Sequence, residues 1–183
     1  MAGKLTLILG PMFSGKSSEL IRYYKRYKIA GKKCLVIKYA GDDRYDETSV
    51  VTHDKVAIEA LPASRLLDLE GTAKEYEVIC IDEIQFFEDG SMSDVWADEG
   101  KIVIVSGLNG TFQRRPWRVI SELVPLADDI IHLKAVCKDN GEDAAFTHRT
   151  VGNNSEFMIG GSESYSAVDR KTFIGKKYQK VEK

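Results

Sequence analysis

Residues 10–17 read Gly-Pro-Met-Phe-Ser-Gly-Lys-Ser, and their types and spacing match the phosphate-binding loop G-x-x-x-x-G-K-S. In such a loop the glycines let backbone N–H groups turn toward a polyphosphate, while the lysine reaches its terminal phosphates and the last hydroxyl binds Mg²⁺. The chain is therefore predicted to bind a nucleoside triphosphate. The residues expected around the phosphates of ATP are Gly10, Pro11, Met12, Phe13, Ser14, Gly15, Lys16 and Ser17, with Ser17 also on the magnesium ion.

An acidic pair, Asp82-Glu83, follows the apolar run Val78–Ile81. Ligands of parallel sheets bind beyond the carboxyl ends of the strands, so both carboxylates are expected near the phosphate loop. Asp82 has the position of a second magnesium-anchoring residue. Glu83 is then available to take a proton from an attacking hydroxyl, a role worth about 10²–10⁴-fold in rate. The alternative is an acidic pair that caps a helix or faces solvent.

Apolar runs that alternate with helical segments must position these residues. The runs at 5–9, 34–38, 78–81, 102–105 and 130–133 have the composition of buried strands. A helix is predicted from Ser17, ending before Gly31, and a second one from Ser91 to Glu99 with Ser91 or Ser93 as its cap. This order predicts an α/β fold in which helices cover both faces of a parallel sheet.

Two segments lack this pattern. Residues 39–52 are polar, with Gly41 and three aspartates, and are predicted to form a mobile loop. After Val136 the chain is polar and Gly-rich, without a long periodic element, up to Phe173. The lysine-rich tail at 176–183 is predicted to be disordered.

Composition narrows the class of protein. The 183 residues are 43% hydrophobic and 30% charged, which suits a domain with a sizeable core. A net charge of −2 argues against a nucleic-acid partner, and no apolar stretch has the length needed to cross a membrane. Cys34 and Cys80 lie in apolar runs and Cys137 stands apart, which favours reduced thiols in a cytoplasmic protein.

Seven short blocks together resemble the type II thymidine kinases, the cytosolic, cellular and poxvirus-like enzymes. The blocks lie in the family's order and approximate spacing, across residues 4–173. They are residues 10–17, 37–39, 42–45, 52–54, 82–87, 110–116 and 159–161. The resemblance implies transfer of the γ-phosphate of Mg-ATP to the 5′-hydroxyl of deoxythymidine, giving dTMP for nucleotide salvage.

The resemblance also implies roles for individual residues. Glu83 is similar to the catalytic base, and Arg44 to an arginine that holds the phosphates and neutralises the transferring charge, with Asp42 beside it. Trp117 stands where the family usually has Phe. The residues implied around the thymine and its sugar are Met12, Phe86, Leu108, Phe112, Trp117, Thr147, Met158, Ile159 and Tyr165. Core packing is the alternative for the three phenylalanines at 86, 87 and 112, and for Phe87 it is the favoured one.

In the family a C-terminal lasso closes over the nucleoside, here implied at about 144–165. The implied organisation is a phosphate-loop nucleotide-binding α/β domain at 1–136, a lasso subdomain at 137–175, and the tail. Feedback inhibition by dTTP and assembly into a homotetramer are further implications of the resemblance.

One departure from the family concerns a structural zinc ion held by two C-x-x-C pairs. The corresponding residues here are Cys137 and Asn140 in the first pair, and Asp169 and Thr172 in the second. A single thiolate with these partners is a poor ligand set, and His148 is a weak substitute, so no structural zinc is expected.

Two other interpretations stay open from the sequence. A degenerate copy that binds nucleotide without catalysis is favoured by the missing zinc ligands and opposed by the intact Lys16, Ser17, Asp82, Glu83 and Arg44. A phosphate-loop ATPase of another class, such as a switch or motor, is opposed by the absence of a second hydrolysis signature and by the short chain.

Overall fold

The computed structural model describes residues 3–41, 49–51, 57–151 and 160–179. The strands within these ranges are β1 Lys4–Gly10, β2 Cys34–Tyr39, β3 Ser49–Val51, β4 Ala57–Glu59, β5 Leu61–Ala63, β6 Val78–Ile81, β7 Ile102–Leu108, β8 Asp129–His132, β9 Ala135–Val136, β10 Asp143–Ala144, β11 Phe146–Arg149 and β12 Tyr165–Val168. The α-helices are α1 Lys16–Ile29, α2 Glu70–Ala73, α3 Met92–Asp98, α4 Arg118–Leu123 and α5 Arg170–Gln179.

Six strands form the central sheet, in the order β5-β2-β6-β7-β1-β8. Every pairing between neighbours in this sheet is parallel. The predicted parallel sheet is therefore confirmed, and the five predicted apolar runs are five of its strands. Because β6, β7 and β1 are neighbours, the residues that follow them meet at one edge of the sheet.

Helices cover both faces of this sheet, as predicted. Along β1, Leu7 contributes to the core on one face and Ile8 to the core on the other, which is the alternation of an extended strand. The first core receives Trp96 of α3 and Leu123 of α4, and the second receives Leu20 of α1. Phe87 is fully buried in the first core, so its favoured core-packing role is confirmed.

The predicted end of α1 is confirmed, whereas the predicted side-chain cap of α3 is wrong. Gly31 has a φ of +76°, a left-handed conformation that ends α1 at low steric cost. Ser91 occupies the N-cap position of α3 without a side-chain capping hydrogen bond, because a capping side chain must accept a backbone N–H. Ser93 lies inside the first turn, where it is buried and its hydroxyl donates to the carbonyl of Gly90 at 2.7 Å.

The loop prediction for residues 39–52 is wrong at 49–51. These residues form β3, which pairs antiparallel with β4. Val50 is 3% exposed and packs in the second core, and this burial stabilises a strand that its polar surroundings in sequence do not indicate.

The C-terminal part of the chain contains more regular structure than the sequence predicts. β9 pairs with β10 and β11 with β12, both antiparallel. Phe173 of α5 packs with Val168 in a third, small core, where Phe13 of the phosphate loop also contributes. α5 continues to Gln179 and is anchored by Phe173, so residues 176–179 of the predicted tail belong to a helix. Residues 180–183 lie outside the described residues.

Two further observations concern the whole described part of the chain. Cys34, Cys80 and Cys137 are all free thiols, and burial raises the pKa of Cys80 well above its ordinary value. Among the residues described, none of the helices combines the length and apolar character that crossing a membrane requires.

Candidate active site

The phosphate loop leaves the carboxyl end of β1 in a conformation that requires glycine at both ends of the motif. A Cβ on Gly10 would lie 2.5 Å from Ser14 Oγ and 2.7 Å from the carbonyl oxygen of Leu133. Gly15 has a φ of +82°, where a side chain is strained. Close backbone packing therefore explains the glycine at position 10, and a left-handed turn explains the one at position 15.

Lys16 and Ser17 open α1 and both face the interior of the site. Lys16 is 8% exposed, and its Nζ donates to the carbonyl of Pro11 at 2.8 Å across the loop. Ser17 Oγ donates to Asp82 Oδ2 at 2.9 Å. This hydrogen bond joins the start of α1 to the end of β6, so the two sequence motifs meet in space.

Asp82 is buried and has a second hydroxyl partner, Ser106 of β7, whose Oγ donates to Asp82 Oδ1. Burial, together with the nearby Glu83 carboxylate, raises the pKa of Asp82 to about 6. Hydrogen bonds from Ser106 and Ser17 and the charge of Lys16 act in the opposite direction and lower this pKa. Ser106 was not among the predicted site residues. Its position could have indicated a role, because Ser106 is a polar residue directly after the apolar run 102–105, which forms a neighbouring parallel strand.

The donor set around Asp82 fits magnesium. A buried carboxylate and the hydroxyl of Ser17 lie within hydrogen-bond distance of each other, and Mg²⁺ prefers oxygen ligands of these kinds. With an ATP phosphate present, Ser17 and Asp82 would hold the ion, Asp82 in the role expected of a strand-end aspartate.

Glu83 has an unusual backbone conformation, with a φ of +55°. The left-handed region costs a residue with a side chain roughly 1–2 kcal/mol, and such strain is concentrated at functional sites. Its Oε2 accepts a hydrogen bond from Gln85 Nε2 at 2.6 Å, and Gln85 Oε1 accepts the backbone N–H of Leu108 at 3.1 Å. Gln85 therefore ties the Glu83 carboxylate to the end of β7. In the sequence, Gln85 stood out only as part of the block at residues 82–87, without a role of its own.

Two of the predicted nucleoside-pocket aromatics lie together beside this acidic pair. Phe86 and Trp117 form an edge-to-face pair with ring centroids 6.0 Å apart. Tyr39, at the end of β2, contacts Phe86 with centroids 5.4 Å apart. Phe86 and Trp117 are both half-buried, in contrast to the fully buried Phe87, which suits residues that line a cleft.

Arg149 joins two other predicted pocket residues, Phe112 and Tyr165. Its guanidinium lies 3.8 Å from the ring centroid of Phe112 and 5.3 Å from that of Tyr165. Its Nη2 donates to the Tyr165 hydroxyl at 2.8 Å, and Arg149 itself is 2% exposed. A buried, stacked arginine orders both aromatic rings. Nothing in the local sequence around Arg149 indicates this contact, which depends on the pairing of β11 with β12.

Thr147 of β11 contacts the phosphate loop. Its Oγ1 accepts the backbone N–H of Met12 at 3.0 Å. The structure thus places two residues predicted to contact the nucleoside, Thr147 and Met12, directly against each other. Four other predicted site residues lie outside the described residues: Asp42, Arg44, Met158 and Ile159.

Comparisons with known proteins identify the family of this chain. A family model described as thymidine kinase matches residues 3–173. The thymidine kinase of Myxoma virus (strain Lausanne) is 49% identical over 174 residues, which cover 94% of this chain and 97% of that protein. That of Vaccinia virus (strain Ankara) is 47% identical over 175 residues, covering 94% and 98%, and that of Variola virus is 47% identical over 173 residues, covering 94% and 97%.

Among solved structures, domain III of the Thermotoga maritima replication initiation protein DnaA aligns with a TM-score of 0.40 at 14% identity, covering 72% of this chain and 55% of that one. A similarity at this level carries no argument. The family model and the viral relatives instead extend over nearly the whole chain, including the phosphate loop and the Asp82-Glu83 pair. The chain belongs to the thymidine kinase family.

Proposed function

We propose that this chain is an ATP-dependent thymidine kinase, which transfers the γ-phosphate of Mg-ATP to the 5′-hydroxyl of deoxythymidine and releases dTMP and ADP. The observation that carries the proposal is the hydrogen bond between Ser17 and Asp82. It joins the phosphate loop to Asp82, and the next residue in the chain is Glu83, whose backbone is strained. The family to which the chain belongs supports the same reaction.

In the proposed reaction, the loop amides and Lys16 bind the β- and γ-phosphates of ATP. Bound magnesium would neutralise phosphate charge and orient the γ-phosphoryl group. Glu83 accepts the proton of the 5′-hydroxyl as its oxygen attacks phosphorus, and Gln85 keeps the carboxylate turned toward that oxygen. Arg44 is proposed to stabilise the charge on the transferring group, with Asp42 beside it.

The proposed nucleoside pocket is apolar and aromatic, as a methylated pyrimidine requires. We propose that Phe86 and Trp117 form one side of it and Phe112 and Tyr165 the other, with Met12, Leu108 and Thr147 between them. Met158 and Ile159 are proposed to complete it from the lasso. We retain the division into a nucleotide-binding domain at 1–136 and a lasso subdomain from 137 as part of this proposal.

Three further properties are proposed by the same resemblance. dTTP is expected to inhibit by placing its base in the thymidine pocket and its phosphates toward the donor site. Homotetramer assembly is expected from the family. A cytoplasmic location fits three free thiols.

The test is thymidine-dependent release of ADP, measured for the wild type and for Glu83→Gln. Loss of the general base is expected to reduce kcat by about 10²–10⁴-fold while thymidine binding stays nearly unchanged. Glu88→Gln is the matched control, because Glu88 lies five residues further along the chain with an exposed side chain. The control should retain full activity.

The same assay separates the other interpretations. ADP release that does not depend on thymidine would identify an ATPase of another class. Nucleotide binding without any turnover in the wild type would identify the degenerate copy. Full activity in Glu83→Gln would remove Glu83 from the proposed mechanism.

A further inference from the structure

The four positions at which the family resemblance implies a structural zinc ion hold a hydrogen-bonded side-chain cluster in this chain. The cluster consists of Cys137 and Asn140, in the turn between β9 and β10, and of Asp169 and Thr172, at the start of α5. The two halves of the cluster are distant in sequence: Cys137 and Thr172 are 35 residues apart, and Asn140 and Asp169 are 29 residues apart.

Asp169 is the centre of the cluster. Its Oδ2 accepts hydrogen bonds from Asn140 Nδ2 at 2.9 Å and from Thr172 Oγ1 at 2.5 Å. Its Oδ1 accepts the backbone N–H groups of Lys171 at 2.8 Å and of Thr172 at 3.1 Å, which caps α5. These donors, the Thr172 hydroxyl above all, hold the pKa of Asp169 well below its ordinary value. The carboxylate thus stays charged and bound at neutral pH.

The thiol of Cys137 completes the cluster from its buried side. Cys137 Sγ donates to Thr172 Oγ1 at 3.8 Å. In a tetrahedral zinc site with bonds of about 2.3 Å, neighbouring sulfur atoms are about 3.8 Å apart. The side chains at positions 137 and 172 are therefore close enough that cysteines at both positions could bind one metal ion.

The chemistry of the cluster does not fit zinc. Structural zinc takes four Cys or His ligands, whereas this set offers one thiol, one carboxylate, one amide and one hydroxyl. Asp169 Oδ2 already accepts two hydrogen bonds, one from the Thr172 hydroxyl and one from the NH₂ group of Asn140, and an NH₂ group cannot bind a metal ion. Among the described residues, no group of three or more His, Cys, Asp or Glu side chains is arranged to hold a metal ion.

The cluster joins elements that have little core of their own. The third core contains six buried residues, of which Phe173 is the largest, so its apolar burial is small. An exposed ion pair between Lys176 Nζ and Asp139 Oδ2, 2.8 Å apart, spans the same two elements. β12 ends one residue before Asp169, and it carries Tyr165, the hydrogen-bond partner of Arg149.

We propose that Asp169, with Asn140, Thr172 and Cys137, forms a metal-free clasp that takes the place of zinc in this chain and positions the β11–β12 hairpin for nucleoside binding. In this role Asp169 is a positioning residue. Its effect on the nucleoside rests on the proposed function, whereas its effect on folding and on metal dependence does not.

The first test is Asp169→Asn. The amide keeps an oxygen that can cap α5, but its NH₂ group cannot accept hydrogen bonds from Asn140 and Thr172. Loss of one or two such bonds is expected to raise the KM for thymidine by about three- to tenfold, with kcat and the KM for ATP nearly unchanged. The melting temperature is expected to fall by about 2–4 °C. Asp143→Asn is the matched control, because it removes only an exposed ion pair with Lys134 at the neighbouring β9–β10 hairpin and should change neither the melting temperature nor the KM.

The second test restores the metal ligands. The triple variant Asn140→Cys, Asp169→Cys, Thr172→Cys leaves Cys137 in place and creates four thiols at the clasp positions. We expect it to bind one zinc ion per chain and, with cobalt(II) as a probe, to show the visible absorption of tetrahedral thiolate coordination. Zinc should raise its melting temperature and a chelator should lower it. The wild type should respond to neither.

Three results would overturn the proposal. One is a wild-type protein that purifies with stoichiometric zinc and melts lower once the zinc is removed. Another is an Asp169→Asn variant that matches Asp143→Asn in both melting and KM. The third is a triple variant that binds no zinc, whether folded or not. The melting temperature and zinc binding can be measured without enzymatic activity, so they test the clasp even if the chain is inactive on thymidine.

Discussion

The side-chain amide of Gln85 connects Glu83, the proposed base, to the end of β7. It is 6% exposed, and it uses its nitrogen on Glu83 and its oxygen on the Leu108 N–H. Gly107 leaves room for this arrangement, since a Cβ there would lie 2.8 Å from Ile84 Cγ2 and 2.9 Å from Gln85 Oε1. A strained Glu83 backbone and a buried amide partner together fix the direction of the carboxylate.

Replacing Gln85 by Met, which has a similar volume, should lower kcat by about tenfold or more. The Glu83 carboxylate loses its donor, and the Leu108 N–H loses its acceptor at a cost of about 1–3 kcal/mol in unfolding free energy. A double-mutant cycle gives the control: in a Glu83→Gln background, Gln85→Met should have little further effect on turnover. Equal effects in both backgrounds would show that Gln85 acts on folding alone.

At the scale of elements, β11 connects the C-terminal hairpins to the phosphate loop. Thr147 accepts the N–H of Met12, and Phe13 of the same loop packs in the third core beside Phe146. The loop is therefore supported from both sides, by β1 and α1 on one and by the C-terminal strands on the other. A substitution in β11 is expected to affect the binding of both substrates.

Thr147→Val should weaken ATP and thymidine binding together, because the isosteric side chain cannot accept the Met12 N–H. An unpaired, part-buried N–H costs about 1–3 kcal/mol, which corresponds to a change in dissociation constant of roughly 5- to 150-fold if binding restores the loop geometry. Titration calorimetry with each ligand measures it. Thr147→Ser keeps the hydroxyl and should bind both ligands as the wild type does. Weakening of thymidine binding alone would limit Thr147 to the nucleoside pocket.

At the scale of the whole molecule, the proposed site lies between the sheet edge and the C-terminal hairpins. Phe86 and Trp117 belong to the segments that follow β6 and β7, whereas Tyr165 and Arg149 belong to β12 and β11. A nucleoside bound between them would contact both parts of the chain. Ligand binding is therefore expected to stabilise the entire fold.

Thymidine at a hundredfold excess over its dissociation constant should stabilise the native state by about 2.7 kcal/mol. For a chain of this length that is a rise of roughly 5–11 °C in melting temperature. dTTP should give a comparable rise and, because it uses the same pocket, should add far less in the presence of saturating thymidine than alone. Deoxycytidine is the control and should shift melting little. Fully additive shifts by thymidine and dTTP would place the two ligands in separate sites.

Local sequence determined the chemistry of the phosphate end of the site. Gly10, Gly15, Lys16 and Ser17 lie within eight consecutive residues, so their spacing alone fixes which groups can face a phosphate. Asp82 could be added because the residues that follow neighbouring parallel strands must meet at one edge. Four buried strands, β1, β2, β6 and β7, were equally predictable, since near-continuous apolar runs have few other stable arrangements. The edge strand β5 was not predicted, and the other edge strand, β8, is largely exposed although its run is apolar.

Tertiary structure alone decided how the carboxylate, the aromatics and the C-terminal segment are held. α5 lacks an apolar stripe, and it is stabilised by Phe173 and by the Asp169 cap, which only the fold brings into place. The contacts of Gln85, Thr147 and Arg149 join groups that the chain separates, so no spacing rule reveals them. Pairing across such distances depends on the packing of whole elements, and a single sequence records only the residues that take part.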